Sequence, residues 1–147
     1  MMNADENRKL MEKIQYLEAT ENQIFRTVLE NSLYGSAIVD EEGTILYLNK
    51  YFAEIHGYNK DELIGKNLSV FHSKDQLPRV MKLNQKLIND GGYNNEEVWH
   101  VHKNGTKFPM LMTGLAISGR DGRPEYLAAS AIDITERKNA EIDVIEN

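Results

Sequence analysis

Residues 103–138 read KNGTKFPMLMTGLAISGRDGRPEYLAASAIDITERK, and this stretch decides the fold. Its first four residues, Lys103-Asn104-Gly105-Thr106, predict a type I′ hairpin turn, because Asn and Gly tolerate the positive φ angles of that turn. The apolar and β-forming residues on either side predict strands over residues 96–102 and 108–117. The stretch therefore begins with two antiparallel strands.

The rest of the chain follows the order helix, two strands, several short helices, three strands, helix. Gly43 supplies the turn of a first hairpin, Asn49 predicts the N-cap of a short helix, and Gly91-Gly92 predicts the end of a longer one. Thr135 predicts the N-cap of the last helix. This order predicts an α+β fold in which a five-stranded antiparallel sheet carries short helices on one face. Predicted strands lie at residues 36–39, 44–48, 96–102, 108–117 and 125–134, with a polar turn at 119–122, and predicted helices lie at 51–55, 60–64, 76–89 and 135–147.

The first 30 residues predict one helix, because they lack Gly and Pro and are rich in strong helix formers. Apolar residues recur alternately four and three positions apart, which indicates a heptad seam for a partner helix. The alternative is an amphipathic helix that lies on its own domain. The seam residues are Leu10, Ile14, Leu17, Glu21, Ile24 and Val28.

Composition excludes several classes of function. The net charge of −6 argues against a nucleic-acid-binding surface, which needs clustered Lys and Arg. We expect no membrane contact, because no apolar run is long enough to cross a bilayer, and we expect a cytoplasmic location. The absence of cysteine excludes thiolate nucleophiles and cysteinyl adducts. No nucleophile–base or acid–base pair is recognisable, so the chain is not expected to be an enzyme by itself.

Three motifs together resemble the PAS family. Residues 49–66 read NKYFAEIHGYNKDELIGK and look like the family's run from its second strand into its short helices. Residues 103–106 are similar to the family's Lys-Asp-Gly-Thr hairpin, and residues 133–138, DITERK, match its terminal signature. The resemblance covers residues 23–138, flanked by a helical connector at 1–30 and the start of an exit helix at 135–147.

The resemblance implies a sensory or dimerisation module of a larger signalling protein. The effector would be a histidine kinase, a cyclic-di-GMP enzyme or a transcription regulator, and none is present in this chain. A small molecule could bind between the sheet and the short helices, and the change would pass through Asp133 and Thr135 to the exit helix. The alternative is a ligand-free scaffold that only dimerises through the N-terminal helix or binds proteins.

Strand parity around His100 and the small residues of the last strand predict the lining of such a pocket. His100 and His102 share one strand face if that strand is regular, and Met110 and Met112 share the face of His100. The candidate lining residues are Ile38, Phe52, Ile55, Leu63, Leu83, Val98, His100, Met110, Met112, Ala129 and Ala131.

No coloured cofactor is expected. Flavin-binding relatives carry amide side chains at the positions of His100, Met110 and Ala131, and a reactive cysteine where this chain has Leu68. Haem is not expected because the predicted helix at 76–89 contains no histidine to serve as axial ligand. The His100/His102 pair could join His56 or His72 around a metal, but hydrogen-bonding imidazoles near a pocket are the simpler interpretation, so no metal is predicted.

Overall fold

The computed structural model describes residues 1–119 and 121–146, and it divides into two compact units, Met1–Ser32 and Leu33–Asn147. Arg120, in the predicted polar turn, and Asn147, at the predicted end of the last helix, lie outside the described residues. Within the second unit, the predicted five-stranded antiparallel sheet with helices is confirmed.

The first unit consists mainly of helix α1, Ala4–Glu30. Asn3 caps it, because its side chain accepts the Glu6 N–H at 2.9 Å while the Glu6 carboxylate accepts the Asn3 N–H. The predicted seam follows one face of this helix, and its apolar side chains are all exposed.

The second unit is built on a sheet with the strand order β2-β1-β5-β4-β3, in which every neighbouring pair is antiparallel. Alternating burial in β1 places Ala37 and Val39 on the inner face of the sheet. The strands are β1 Gly35–Asp40, β2 Ile45–Leu48, β3 Gly92–Val101, β4 Lys107–Ser118 and β5 Pro124–Asp133.

The helices between β2 and β3 cover the inner face of this sheet. Phe52 and Ala53 of α2, Leu63 of α3 and Leu83 of α4 point into the core. The helices are α2 Lys50–Ile55, α3 Lys60–Leu63, the 3₁₀ turns Leu68–Phe71 and Lys74–Gln76, α4 Leu77–Asp90 and, after the last strand, α5 Thr135–Glu146.

Strand β3 begins four residues earlier than predicted. Its first residues, Gly92-Tyr93-Asn94-Asn95, are poor strand formers apart from the tyrosine, so sequence pattern alone missed them. The pairing with β4 shifts register between Tyr93 and Glu96, and Asn95 adopts a positive φ of 53°. A bulge therefore lets the strand continue through a region of weak β propensity.

The turn at residues 103–106 is not the predicted type I′ turn. Gly105 has φ 91°, but Asn104 has no positive φ, and type I′ requires two such residues. Gly105 N–H donates to His102 O, and His102 N–H donates to Thr106 O. The loop therefore has three residues, with glycine alone in the left-handed conformation.

Asn49 ties α2 to the strand beside it. Its side chain is fully buried and its Oδ1 accepts both the Phe52 N–H at 3.1 Å and the Ser36 N–H at 3.0 Å. Its Nδ2 donates to Tyr34 O at 3.0 Å. The predicted N-cap is confirmed, and it also anchors the start of β1.

Replacing this side chain tests the anchor. We expect Asn49→Ala to lower the free energy of unfolding by about 2–4 kcal/mol, because buried backbone N–H groups lose their acceptor. The control is Asn67→Ala, since Asn67 also accepts a helix-cap N–H, that of Ser69, and donates to a distant carbonyl, Glu42 O, but does so at the exposed surface. That control should cost about 1 kcal/mol in urea denaturation. Equal losses for the two variants would contradict the anchoring role.

Candidate functional site

A cavity of about 80 Å³ lies between the inner face of the sheet and the helices that cover it. The space exists because a row of small residues crosses the sheet here. Ala37, Ala129 and Gly114 are paired across β1, β5 and β4. A Cβ at Gly114 would come within 2.5 Å of the Tyr93 ring, so the close approach of that ring requires glycine. The lining residues are Ala37, Val39, Phe52, Leu68, Phe71, His72, Val80, Leu83, Asn84, Leu87, Tyr93, Val98, His100, Met112, Leu127, Ala128 and Ala129.

The structure brings only part of the predicted lining together. Met110 and Ala131 point inward but are fully buried in the adjoining core, as Leu63 is, so they do not line the cavity. Ile55 packs against the same core cluster, partly buried. The predicted residues that do line the cavity are Phe52, Leu83, Val98, His100, Met112 and Ala129.

Ile38 was placed on the wrong face of its strand. Ile38 is only partly buried, whereas its neighbours Ala37 and Val39 are buried in the core. The run from Ala37 to Val39 is apolar on both faces of the sheet, so alternation could not assign the inward positions.

Sequence reasoning missed much of the wall that the helices contribute. Val80 and Leu87 share the buried face of α4 with Leu83, and the helical spacing already contained that signal. Phe71 and His72 lie in and after a 3₁₀ turn, where no simple periodicity marks the inward side.

Two histidines form a buried chain of contacts beside the cavity. His56 Nδ1 donates to Phe52 O at 2.7 Å, and His56 Nε2 lies 2.8 Å from His100 Nδ1. His100 Nε2 lies 3.2 Å from Met112 Sδ. His56 therefore holds the imidazole that faces the cavity.

Aromatic rings enclose the same pair. Phe52 stacks on His56 with ring centroids 4.6 Å apart, and Phe71 lies equally close to His56 at a tilt of 48°. The ring of His72 meets His100 edge to face at 4.6 Å. These rings exclude water from the two imidazoles.

Burial keeps both imidazoles neutral. It lowers the pKa of His56 from 6.5 to about 4, against the hydrogen bond to Phe52 O, which raises that pKa. Burial also lowers the pKa of His100 well below 6.5, and the nearby His72 and His56 lower it further. At pH 7 the pair therefore carries two ring protons and no charge.

His100 and His102 do not form a metal-binding pair. His100 Nδ1 is engaged with His56, whereas the ring of His102 packs on Gly57 and its Nδ1 accepts the Asn104 N–H. Residues 1–119 and 121–146 contain no group of three His, Cys, Asp or Glu side chains able to hold a metal ion.

Residues of three strands hold the start of α5 in place. Asp133 Oδ1 accepts the Thr135 N–H at 2.9 Å and its hydroxyl at 2.5 Å, so Asp133 is the capping residue rather than Thr135. Ile134 N–H donates to Pro109 O of β4, and Lys138 contacts Glu97 of β3 at 2.9 Å. Exposed ion pairs of this kind contribute little to stability, so the contact between α5 and β3 can rearrange at a small cost in free energy.

Neither flavin nor haem fits the cavity. An apolar cavity of about 150 Å³ holds a single benzene, and this one, at about 80 Å³, is smaller. Flavin and haem each have several fused or linked rings.

The PAS domain family model matches residues 33–136, so this chain belongs to the PAS domain family. It is 30% identical over 119 residues to the probable diguanylate cyclase DgcE of Escherichia coli (strain K12), covering 80% of this chain and 11% of that protein. It is 28% identical over 101 residues to blue-light-activated histidine kinase 1 of Erythrobacter litoralis (strain HTCC2594), covering 66% of this chain and 28% of the kinase.

Solved structures show the same fold. The PAS domain of a protein from Colwellia psychrerythraea superimposes with a TM-score of 0.72 at 19% identity, covering 78% of this chain and 97% of that one. A PAS domain from a two-component sensor histidine kinase gives a TM-score of 0.67 at 13% identity, covering 79% and 98%. Across the described residues, no helix is both long and apolar enough to span a bilayer.

The neutral histidine pair predicts a pH-dependent stability. The unfolded chain takes up these protons near pH 6.5, while folded His56 takes one up only near pH 4. The free energy of unfolding therefore falls as pH drops from 6.5 to 4, by about 1.4 kcal/mol per pH unit for each histidine. Above pH 6.5 this contribution is fully present.

Urea denaturation between pH 7 and pH 4.5 measures this effect. The double variant His56→Phe/His100→Phe should show a shallower loss of stability with falling pH than the wild type. His102→Gln, outside the buried pair, should keep the wild-type slope. Parallel pH profiles for the double variant and the wild type would rule out the buried pair as the cause.

Proposed function

We propose that this PAS domain is the sensory input of a larger signalling protein and that a small molecule in its cavity sets the signal. The observation that carries the proposal is an apolar cavity whose wall includes one deeply buried imidazole, that of His100. Ligand sites in proteins are typically apolar pockets with a few placed polar groups, and this cavity has that composition.

A route from the cavity to the exit helix supports the sensory role. His100 lies on the inner face of β3, and Glu97, three residues earlier on the same strand, contacts Lys138 of α5. Ala129 lines the cavity on β5, the strand that ends at Asp133 and the start of α5. A ligand that shifts β3 against β5 would change the direction in which α5 leaves, with Asp133 and Thr135 at the junction.

The output belongs to a linked effector in this proposal. The chain spans 11% and 28% of the length of the two curated relatives, a probable diguanylate cyclase and a histidine kinase. An effector of one of these types, or a transcription regulator, fits the position of α5 at the end of the sensor. We further propose a cytoplasmic location, since a chain without cysteine has no disulfide that requires an oxidising compartment.

Xenon tests the cavity, because it enters dry apolar cavities without forming hydrogen bonds. Under xenon pressure, NMR should show shifts of the Met112, Leu83 and Val98 methyl groups. Ala129→Leu, which fills the cavity, should abolish these shifts. The matched control Ser130→Leu should retain them, because strand alternation turns Ser130, the next residue of β5, to the other face and it does not line the cavity.

Native mass spectrometry of the purified wild type complements the xenon experiment by detecting any retained small molecule. If no cavity methyl shifts under xenon and no added mass is retained, the ligand-sensing role fails. The ligand-free scaffold then becomes the better account of this domain.

Dimerisation through α1 is the second part of the proposal. Leu17, Ile24 and the other apolar seam residues are 38–62% exposed, which is costly in water. Burying each large side chain against a partner helix contributes about 1.5–3 kcal/mol, so several together offset the entropy of association. Glu21 within the seam weakens the pairing, which suits a dimer that changes its arrangement.

Light scattering across a range of concentrations tests this seam. The wild type should be a dimer at micromolar concentration, and Leu17→Glu/Ile24→Glu should be a folded monomer. Gln15→Glu/Asn22→Glu adds the same charge beside the seam and should remain a dimer. A monomeric wild type, or a dimeric seam variant, would show that α1 does not mediate dimerisation.

A further inference from the structure

The buried histidine chain ends in a hydrogen-bond acceptor on both sides. At one end the Phe52 carbonyl oxygen can only accept, and at the other the thioether sulfur of Met112 is at most a weak acceptor. Between them the imidazoles of His56 and His100 contact each other at 2.8 Å. Three contacts in series therefore need three protons, one for each contact.

Two neutral imidazoles supply only two protons. Both rings are neutral at pH 7, since burial holds the pKa of each below 6.5. The neighbouring titratable groups do not make His56 take up a third proton. His72 and His102 lower the pKa of His56, and Asp133 raises that pKa by less than burial lowers it. One of the three contacts is therefore without a proton.

The contact that lacks a proton is the one to the sulfur. The Phe52 carbonyl is the stronger acceptor, so His56 carries its proton on Nδ1 and presents a lone pair at Nε2. That lone pair accepts the Nδ1 proton of His100. His100 Nε2 is then left with a lone pair beside Met112 Sδ, at a cavity wall that both side chains line.

We propose that the cavity selects a small neutral molecule with an apolar body and one O–H or N–H group, which donates to His100 Nε2. This inference rests on the sensory function proposed above and names the class of its ligand. An alcohol or a primary amide of a few carbon atoms has this chemistry. A carbonyl or ether without a donor hydrogen leaves the His100 lone pair unsatisfied.

The volume of the cavity and the charge of its lining restrict the class of ligand further. A cavity of about 80 Å³ is about half the volume that holds benzene, which has six non-hydrogen atoms, so the ligand has roughly three to four. The lining residues of the described chain include no Lys or Arg, so an anion finds no compensating charge. His72, the other imidazole at the wall, lies 3.3 Å from Trp99 O through its Nδ1.

The ring protons can be observed directly in the ligand-free wild type. Long-range ¹H–¹⁵N correlation spectra, assigned with single histidine variants, report which nitrogen of each neutral imidazole carries the proton. We expect the proton on Nδ1 in both His56 and His100. A proton on Nε2 of His100 in the neutral protein would overturn the proposal without bearing on whether the cavity binds ligands.

Matched ligands test the required donor. 1-Propanol and ethyl methyl ether are isomers of equal size, and only the alcohol donates a hydrogen bond. In NMR titrations of the wild type we expect the alcohol to bind about 3- to 10-fold more tightly than the ether. Acetate, an anionic probe with the same number of non-hydrogen atoms, should produce no shift of the cavity methyl groups.

Variants separate the role of His100 from that of the cavity itself. His100→Phe removes the acceptor and should bring the alcohol-to-ether preference close to 1, while His102→Phe, the same change outside the cavity wall, should preserve it. Equal binding of alcohol and ether by the wild type overturns the donor requirement but leaves a ligand-binding cavity. If neither probe nor xenon shifts a cavity methyl, the sensory function fails as well.

Discussion

The hydrogen bond between His56 and His100 is the interaction on which the rest of the domain depends. It joins the end of α2 to the end of β3 in the most deeply buried part of the core. Asn49 fixes the start of the same helix to β1, so α2 is held at both ends by buried polar side chains. The space between sheet and helices is therefore set by polar contacts with defined geometry rather than by apolar packing alone.

These buried polar contacts stabilise the fold, and they also require that each polar group keeps a hydrogen-bond partner. Buried polar groups require partners, and the two imidazoles obtain most of theirs from each other and from the Phe52 carbonyl. The one nitrogen without a strong partner belongs to His100, which lines the cavity. The same interaction thus defines the core and provides the polar group of the candidate site.

Different residues carry the family relationship and form the candidate site. The motifs shared with PAS domains are turns, caps and the start of the exit helix, including Asn49, Gly105 and Asp133. These residues fix backbone geometry and can be kept while the wall of the cavity changes. Relatives with 30% identity or less can therefore share the fold and differ in what they bind, because the residues that face the cavity lie mostly outside the motifs.

The sequence by itself determined the order of strands and helices, the N-cap at Asn49 and the inward face of β3 at Val98 and His100, because turn chemistry and strand alternation are local signals. It did not determine the inward face of β1, where Ile38 and Val39 are both apolar, or the bulge at Asn95. Only the tertiary structure brought His56 within 2.8 Å of His100, 44 residues apart in the chain, and placed Phe71 and His72 beside them. Contacts of this kind depend on how α2 and the 3₁₀ turn pack on the sheet, and no local periodicity encodes that packing.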